Sequence, residues 1–325
     1  MHSSSGSRPS TDKSPAVSVL MAVYNGCGHV HLAIESILSQ SFKDFEFVIV
    51  NDGSTDETHE LLQNYSNRDQ RIHIIKIENS GLTKALNIGL SRCRGKYIAR
   101  QDADDISLPI RLETQYKALE EHETNVLVGS RAVYMRGNRL ARRFFKQPPS
   151  SPARIKRHLE VRNIFIHTSL MFQRTINGDE VSYDMQFQSV QDFELITRLS
   201  SLGRIINLRK KLVIVQLGEN SNNDEKLVIQ QTNAIVIALI NAYPELSYLK
   251  KISGKFLTQE LTDLQTKTPY AARVKLLEYY YGTTNIFQLF TTLETELLML
   301  VFRHLDLILM RLCRSLVRLL VRRTC

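Results

Sequence analysis

Four short apolar runs, each tied to a helix-length amphipathic stretch, decide what this chain can fold into. From Ala16, "AVSVLMAVY" is apolar almost throughout, and "HVHLAIESILSQ" then spaces Val30, Ile34, Ile37 and Leu38 on one helical face. "FEFVIVNDGS" is a second such run, with the polar cluster Asn51 to Thr55 at its carboxyl end; "TDETHELLQNY" follows as a helix with Thr55 as its cap. "RIHIIKI" and "GLTKALNIGLSRC" repeat the pair, and "GKYIA" is a fourth strand. Runs that do not alternate are buried on both faces, so the expected class is α/β, a doubly wound, mostly parallel sheet. Apolar residues make up 43% of the 325, ordinary globular composition and enough for a substantial core.

In such sheets a ligand sits beyond the carboxyl ends of the strands. Three polar clusters fall there: "YNG" at Tyr24 to Gly26, "NDGS" at Asn51 to Ser54, and "DADD" at Asp102 to Asp105. The last packs three carboxylates into four positions, and like charges that close raise one another's pKa unless something positive stands between them. Asp102 and Asp104, two residues apart just past a strand, present hard oxygen ligands to Mg²⁺ or Mn²⁺ and leave coordination positions for a diphosphate. A lone D-x-D is commonly a solvated turn; its place at the fourth strand end, with Asp52 at the second, argues for a site. The next helix, "LPIRLETQYKALEEH", carries Pro109 in its first turn, where a missing N–H costs nothing.

After Asn125 the pattern changes. "NVLVGSRAVYMRGNRLARRFF" reads as antiparallel strands around a Gly-Asn turn, "ARIKRHLEV" as a short helix, "HTSLMF" as a strand, "SVQDFELITRLSS" as a helix and "GRIINLRKKLVIV" as a strand or hairpin. The expected division is a disordered lead-in over 1–15 and a catalytic domain over 16–220, its two halves being 16–115 and 116–220. A helical region over 221–325 follows. Four scattered cysteines without a CxxC pair argue against a zinc site or a disulfide framework and fit a reducing compartment. No secretory signal or simple membrane span is read.

Taken together, "VSVLMAVYNG", "FEFVIVNDGSTDET", "GLTKALNIGL" and "GKYIARQDADDISLPIRLETQ", in this order and spacing, resemble the nucleotide-sugar-binding half of family 2 inverting glycosyltransferases of the bacterial, nonprocessive kind, with the type-A fold. The resemblance implies that Tyr24, Asn25 and Asp52 line the nucleoside pocket. It puts Asp102 near ribose and metal, Asp104 on the metal, and Lys84 and Asn87 on a helix that approaches the donor. "QDFELITRL" resembles the family's acidic pair, usually Glu-Asp; Gln191 replaces the Glu, and Asp192 keeps the place of the catalytic base, with Glu194 in reserve. "NIFIHTSLMF" resembles the run that precedes the acceptor loop, where His167 is either a substrate contact or a structural histidine. The Gln-x-x-Arg-Trp signature of processive synthases is absent, so the implied reaction adds one sugar from a nucleotide-diphosphate sugar donor to a sugar or lipid-linked acceptor, in surface polysaccharide or glycolipid synthesis.

The net charge of +9 gathers in two places. From Arg131 to Arg157 there are nine Arg or Lys and no acid, either a face suited to an anionic acceptor or the solvated face of a hairpin. In "LLMLVFRHLDLILMRLCRSLVRLLVRR", Leu297 to Arg323, Arg311, Arg314, Arg318 and Arg322 recur every three or four residues, the pattern of a cationic amphipathic helix, expected on an anionic membrane surface, the alternative being a helix that packs its apolar face on the protein or a partner subunit. The expected location is therefore cytoplasmic, peripheral on the cytoplasmic face of the membrane. No nucleic-acid module is recognisable. A sugar nucleotidyltransferase would carry a basic glycine-rich loop where this chain has "YNGCGHVH". A non-catalytic nucleotide-sugar-binding protein of the same fold is the remaining alternative.

Overall fold

The computed structural model describes residues 14–137, 139–141, 148–159, 163–187 and 190–217. The expected helical region over 221–325 and its amphipathic helix, nearly all of the 1–15 lead-in, and Arg142, Arg143 and Lys146 lie outside the described residues.

β1 (Val17–Val23), α1 (Val30–Leu38), β2 (Phe45–Asp52), α2 (Thr58–Arg68), β3 (Ile72–Ile77), α3 (Leu82–Leu90) and β4 (Tyr97–Asp102) follow the expected alternation. Their strands pair in parallel in the order β3-β2-β1-β4. Every residue of β1 and β2 is buried, as continuous apolar runs require of a sheet covered on both faces. α1 closes one face with Val30, Ile34 and Ile37 against Val19, Met21, Phe47 and Ile49.

The elements that follow are β5 (Ile106–Ser107), α4 (Arg111–Glu120), β6 (Asn125–Arg136), β7 (Arg139–Leu140), α5 (Pro152–Leu159), β8 (Met171–Gln173), β9 (Thr175–Ile176), β10 (Asp179–Glu180), α6 (Gln191–Leu202) and β11 (Arg204–Gln216). β8 inserts antiparallel between β4 and β6, β11 runs parallel to β6, and β5 pairs antiparallel with β11. Among the described residues nine strands make this one sheet, and β9 and β10 form a separate ribbon. The expected hairpin is present as β6 and β7, turned through Gly137 at φ 54.

Three local expectations change, and one left open is decided. α2 starts at Thr58, because Asp56 accepts the Thr58 N–H at 3.1 Å while Thr55 donates its N–H to Asn25 Oδ1 at 2.8 Å. α4 starts at Arg111, two residues past Pro109, whose carbonyl accepts the Ser41 N–H at 2.8 Å. His167–Ser169 is a 3₁₀ turn rather than strand; the Ser169 hydroxyl donates to Ile166 O at 2.8 Å, a local bond that competes with the ladder. Of the two alternatives for "GRIINLRKKLVIV", the strand holds: β11 is one strand of 13 residues with register shifts.

At the amino end of β4 the backbone passes so near β1 that a Cβ on Gly95 would stand 2.4 Å from Ser18 N and 2.7 Å from Val17 C. The obstacle is the main chain of a core strand, which cannot swing aside. Gly95→Ala is expected to cost about 1–3 kcal/mol through overpacking, read as a lower urea midpoint at unchanged m-value. An unchanged midpoint would show that β1 and β4 can separate there.

Candidate active site

The carboxyl ends of β1, β2 and β4 meet at one crevice. Tyr24 leaves β1 with 51% of its surface exposed, an open aromatic face at the crevice. Asn25 takes φ 50; its N–H donates to Ser54 Oγ at 3.0 Å and its Oδ1 accepts from Thr55, so it stitches the loop after β1 to the loop after β2. Asp52 is buried. One carboxylate oxygen accepts the Ser80 N–H at 2.8 Å and the Ser80 hydroxyl at 3.1 Å, and the other accepts the Gly81 N–H at 3.0 Å. Three of about four lone pairs are thus taken in holding the start of α3. On α3, Lys84 is exposed. Asn87 points its amide elsewhere: Nδ2 donates to Tyr183 O and Oδ1 accepts the Tyr183 N–H, both at 2.8 Å. Its polar atoms clamp the loop before α6.

The aspartate cluster rests on two arginines that the surface does not reach. Arg100 donates to Asp102 Oδ1 at 2.6 Å, to Gln101 O and, at 3.5 Å, to Leu20 O. Arg111, 0% exposed, makes five bonds to neutral oxygens: Gln115 Oε1 at 2.9 Å, Gln101 Oε1 at 3.0 Å, Ser107 Oγ at 2.7 Å, Arg100 O at 2.6 Å and Leu170 O at 3.2 Å. Burial works to raise the Asp102 carboxyl, but Arg100, His167 and Arg111 outweigh it and hold it below the usual range. Asp104 and Asp105 move the other way, raised by burial and then by the Asp102 charge. Asp105 is buried and accepts the Gln216 N–H of β11 at 2.9 Å, whereas Asp104 is exposed.

Among the described residues no three His, Cys, Asp or Glu side chains converge to hold a metal by themselves. Asp102 and Asp104 fit a divalent cation in a different way. They are hard oxygen donors two residues apart, the Asp102 charge adding to the burial that raises Asp104, and Mg²⁺ is commonly held by one or two carboxylates together with substrate phosphates.

From the second half, Asp192 lies half-buried in the first turn of α6. Burial pushes its carboxyl up to about 6, against the Phe193 N–H bond at 2.8 Å; the Asp102 charge adds to the rise. Glu194 is buried and bonded through both oxygens to Arg198, at 2.8 and 3.1 Å, so the reserve base is an anchor instead. His167 Nε2 lies 3.0 Å from the Tyr183 hydroxyl. Burial, then Arg100, lowers the imidazole to about 3, so it is neutral. Burial also raises Tyr183, with Arg100 opposing. Arg100, Asp102, His167, Tyr183 and Asp192 therefore share one electrostatic cluster spanning both halves.

The glycosyl transferase family 2 model matches residues 18–179. The O-antigen biosynthesis glycosyltransferase WbnJ of Escherichia coli is 34% identical over 185 residues, 56% of this chain and 71% of the relative. The chain belongs to glycosyl transferase family 2. As a family 2 glycosyltransferase it takes its sugar from a nucleotide-sugar donor. Among solved structures, S. aureus TarS in complex with UDP-GlcNAc aligns with TM-score 0.56 at 20% identity, covering 76% of this chain and 72% of that one. Mannosyltransferase PcManGT of Pyrobaculum calidifontis, in complex with GDP-Man and Mn²⁺, aligns with TM-score 0.53 at 17% identity, covering 90% and 88%. At such identities these neighbours establish the shared type-A α/β fold.

Tyr183 carries no periodicity or motif that marks it, whereas Asn163, which donates to Asp192 Oδ2 at 2.6 Å, opens the "NIFIHTSLMF" run without anything in it that names Asp192 as its partner. Their partners lie 16 to 96 positions away. The clamp on Tyr183 is expected to show when Asn87→Ala speeds hydrogen exchange at the Tyr183 amide and lowers stability by about 1–3 kcal/mol for two lost bonds. Unchanged exchange together with a raised donor KM would mark Asn87 as a donor contact.

Proposed function

We propose that this family 2 enzyme is a metal-dependent inverting glycosyltransferase that moves one sugar from a nucleotide-diphosphate sugar to an acceptor hydroxyl. What supports the reading is the coupling across the crevice: the half-buried Asp192 carboxyl, raised to about 6, feels Asp102 and Arg100 from the strand that carries the aspartate cluster. A base with a pKa near working pH combines availability with proton affinity. Asp192 accepts the acceptor proton as that oxygen forms a bond to the anomeric carbon; the bond from that carbon to the diphosphate breaks on the opposite face, and the centre inverts. Tyr24, Asn25, Asp52 and Lys84 make the donor side, Asp102 borders ribose and metal, and Asn87 holds the donor helix to the loop of Tyr183.

Held by Asp104 and Asp102, Mg²⁺ or Mn²⁺ would neutralise charge on the departing nucleoside diphosphate. PcManGT, solved with GDP-Man and Mn²⁺, supports a divalent ion. The name of WbnJ supports a role in surface polysaccharide synthesis. Arg136, Arg139, Arg154 and Lys156 are exposed and suit an anionic, lipid-linked acceptor. Among the described residues no helix is long and apolar enough to cross a membrane; the sequence of Leu297–Arg323 supports a peripheral attachment.

Two measurements test this reading. Asp104→Ala is expected to lose at least about a hundredfold in released nucleoside diphosphate, matching wild type in excess chelator; full activity in either case would overturn the metal assignment. Asp192→Asn is expected to keep donor affinity and lose about a hundredfold to ten-thousandfold in transfer. Because the base must be deprotonated and its pKa is raised, wild-type kcat should fall as pH drops through about 6. A flat profile from pH 8 to 5, or collapse of donor binding in Asp192→Asn, would remove Asp192 from the chemistry.

A further inference from the structure

The Asp192 carboxylate accepts one fixed hydrogen bond on each oxygen. Oδ1 takes the Phe193 N–H at 2.8 Å, within its own helix turn. Oδ2 takes Asn163 Nδ2 at 2.6 Å, from a segment 29 residues earlier. The Asn163 amide has one workable orientation, since its Oδ1 accepts the Phe165 N–H at 2.8 Å; turned over, it would face a donor with a donor and the carboxylate with an oxygen. Phe165 is itself buried against β6, where a Cβ on Gly129 would stand 2.5 Å from its ring. A rigid path therefore runs from the sheet through Phe165 and Asn163 to the carboxylate.

We propose that Asn163 is a positioning residue for Asp192, fixing the rotation of its carboxylate and stabilising its ionised form so that its remaining lone pairs meet the acceptor hydroxyl. The inference rests on the reading of Asp192 as the base. The bond favours the charged form, opposing the burial that raises it. Among the described residues the other charged or titratable groups facing Asp192 are Asp102 and Arg100 from β4 and Tyr183 from the loop before α6; Glu194, on its own helix, is tied to Arg198. Of the side-chain donors near it, Asn163 is the one bonded to the Asp192 carboxylate, while the Tyr183 hydroxyl is engaged with His167 Nε2 at 3.0 Å and two Arg100 nitrogens with Asp102 and Gln101.

The test is kcat against pH at saturating donor and divalent metal for wild type, Asn163→Ala, the near-isosteric Asn163→Asp, and Asp192→Asn, with thermal melting of each. In Asn163→Ala the acid limb is expected to move up by about one pH unit, as loss of a bond to a charged group implies. In Asn163→Asp a second carboxylate should move it further, and donor KM should stay within about twofold of wild type in both. The proposal is overturned if a folded Asn163 variant keeps its acid limb in place, loses rate equally at every pH, or loses donor affinity instead. Should Asp192→Asn retain transfer, the base assignment itself falls. Should it be inactive while the Asn163 limb stays fixed, only the positioning role falls.

Discussion

Behind the crevice, the Arg111 guanidinium spends all five N–H donors on neutral oxygens, so its charge is balanced only at longer range, by Asp102 and Asp105. Burial, then Arg100, lowers it to about 9, which still leaves it cationic at neutral pH. Its bonds reach α4, β4, β5 and the residue before β8, so one side chain fixes both flanks of the aspartate turn. Three carboxylates facing two guanidiniums carry one net negative charge when all are ionised. A divalent cation reverses that sign, and a reversed sign is what a diphosphate requires. The carboxylates are geometrically prepared before any ligand arrives, at the cost of a network that tolerates no missing member.

The two halves share an apolar core, in which Val128 and Met171 pack with Val17 and Ala99, and polar contacts around the same arginines add to it. Arg100 joins Asp102 to the neighbourhood of His167 and Tyr183, and Asn87 and Arg198 hold the Tyr183 loop from opposite sides, Arg198 through Ser182 O at 2.6 Å. Groups on β4 and α3 are thereby set against groups on the loop before α6 by hydrogen bonds whose lengths and directions are more specific than packing alone.

The sequence made the first hundred residues legible because buried parallel strands announce themselves as unbroken apolar runs, and because the aspartates sit at a strand end where charge has no structural purpose. It was least informative wherever a polar residue works at long range. Arg111 has the appearance of a solvated helix charge in "RLETQYKALEE" yet is fully buried; nothing local reveals the carbonyl of Leu170 waiting for it. Thr55 had the credentials of a cap and lost the role to a bond with Asn25, thirty positions back. "HTSLMF" shares a strand's composition, but Ser169 Oγ could close a turn, and that decided it. Asn163 and Glu194 exchanged apparent importance for the same reason, since partners rather than residue types assign the work.

The insertion of β8 between β4 and β6 means that the chain has no seam where sequence would draw one. A cut near Gln115 would strip β4 of its neighbour, leave Gln115 Nε2 without Ser169 O and Arg111 without Leu170 O, and expose an apolar strand edge to aggregation. The first hundred residues are therefore not a separable cassette. A chimera that borrows another relative's first half must bring matching residues for Leu170, Ser169 and Tyr183 as well, and recombination between such genes will succeed only where those distant contacts are inherited together.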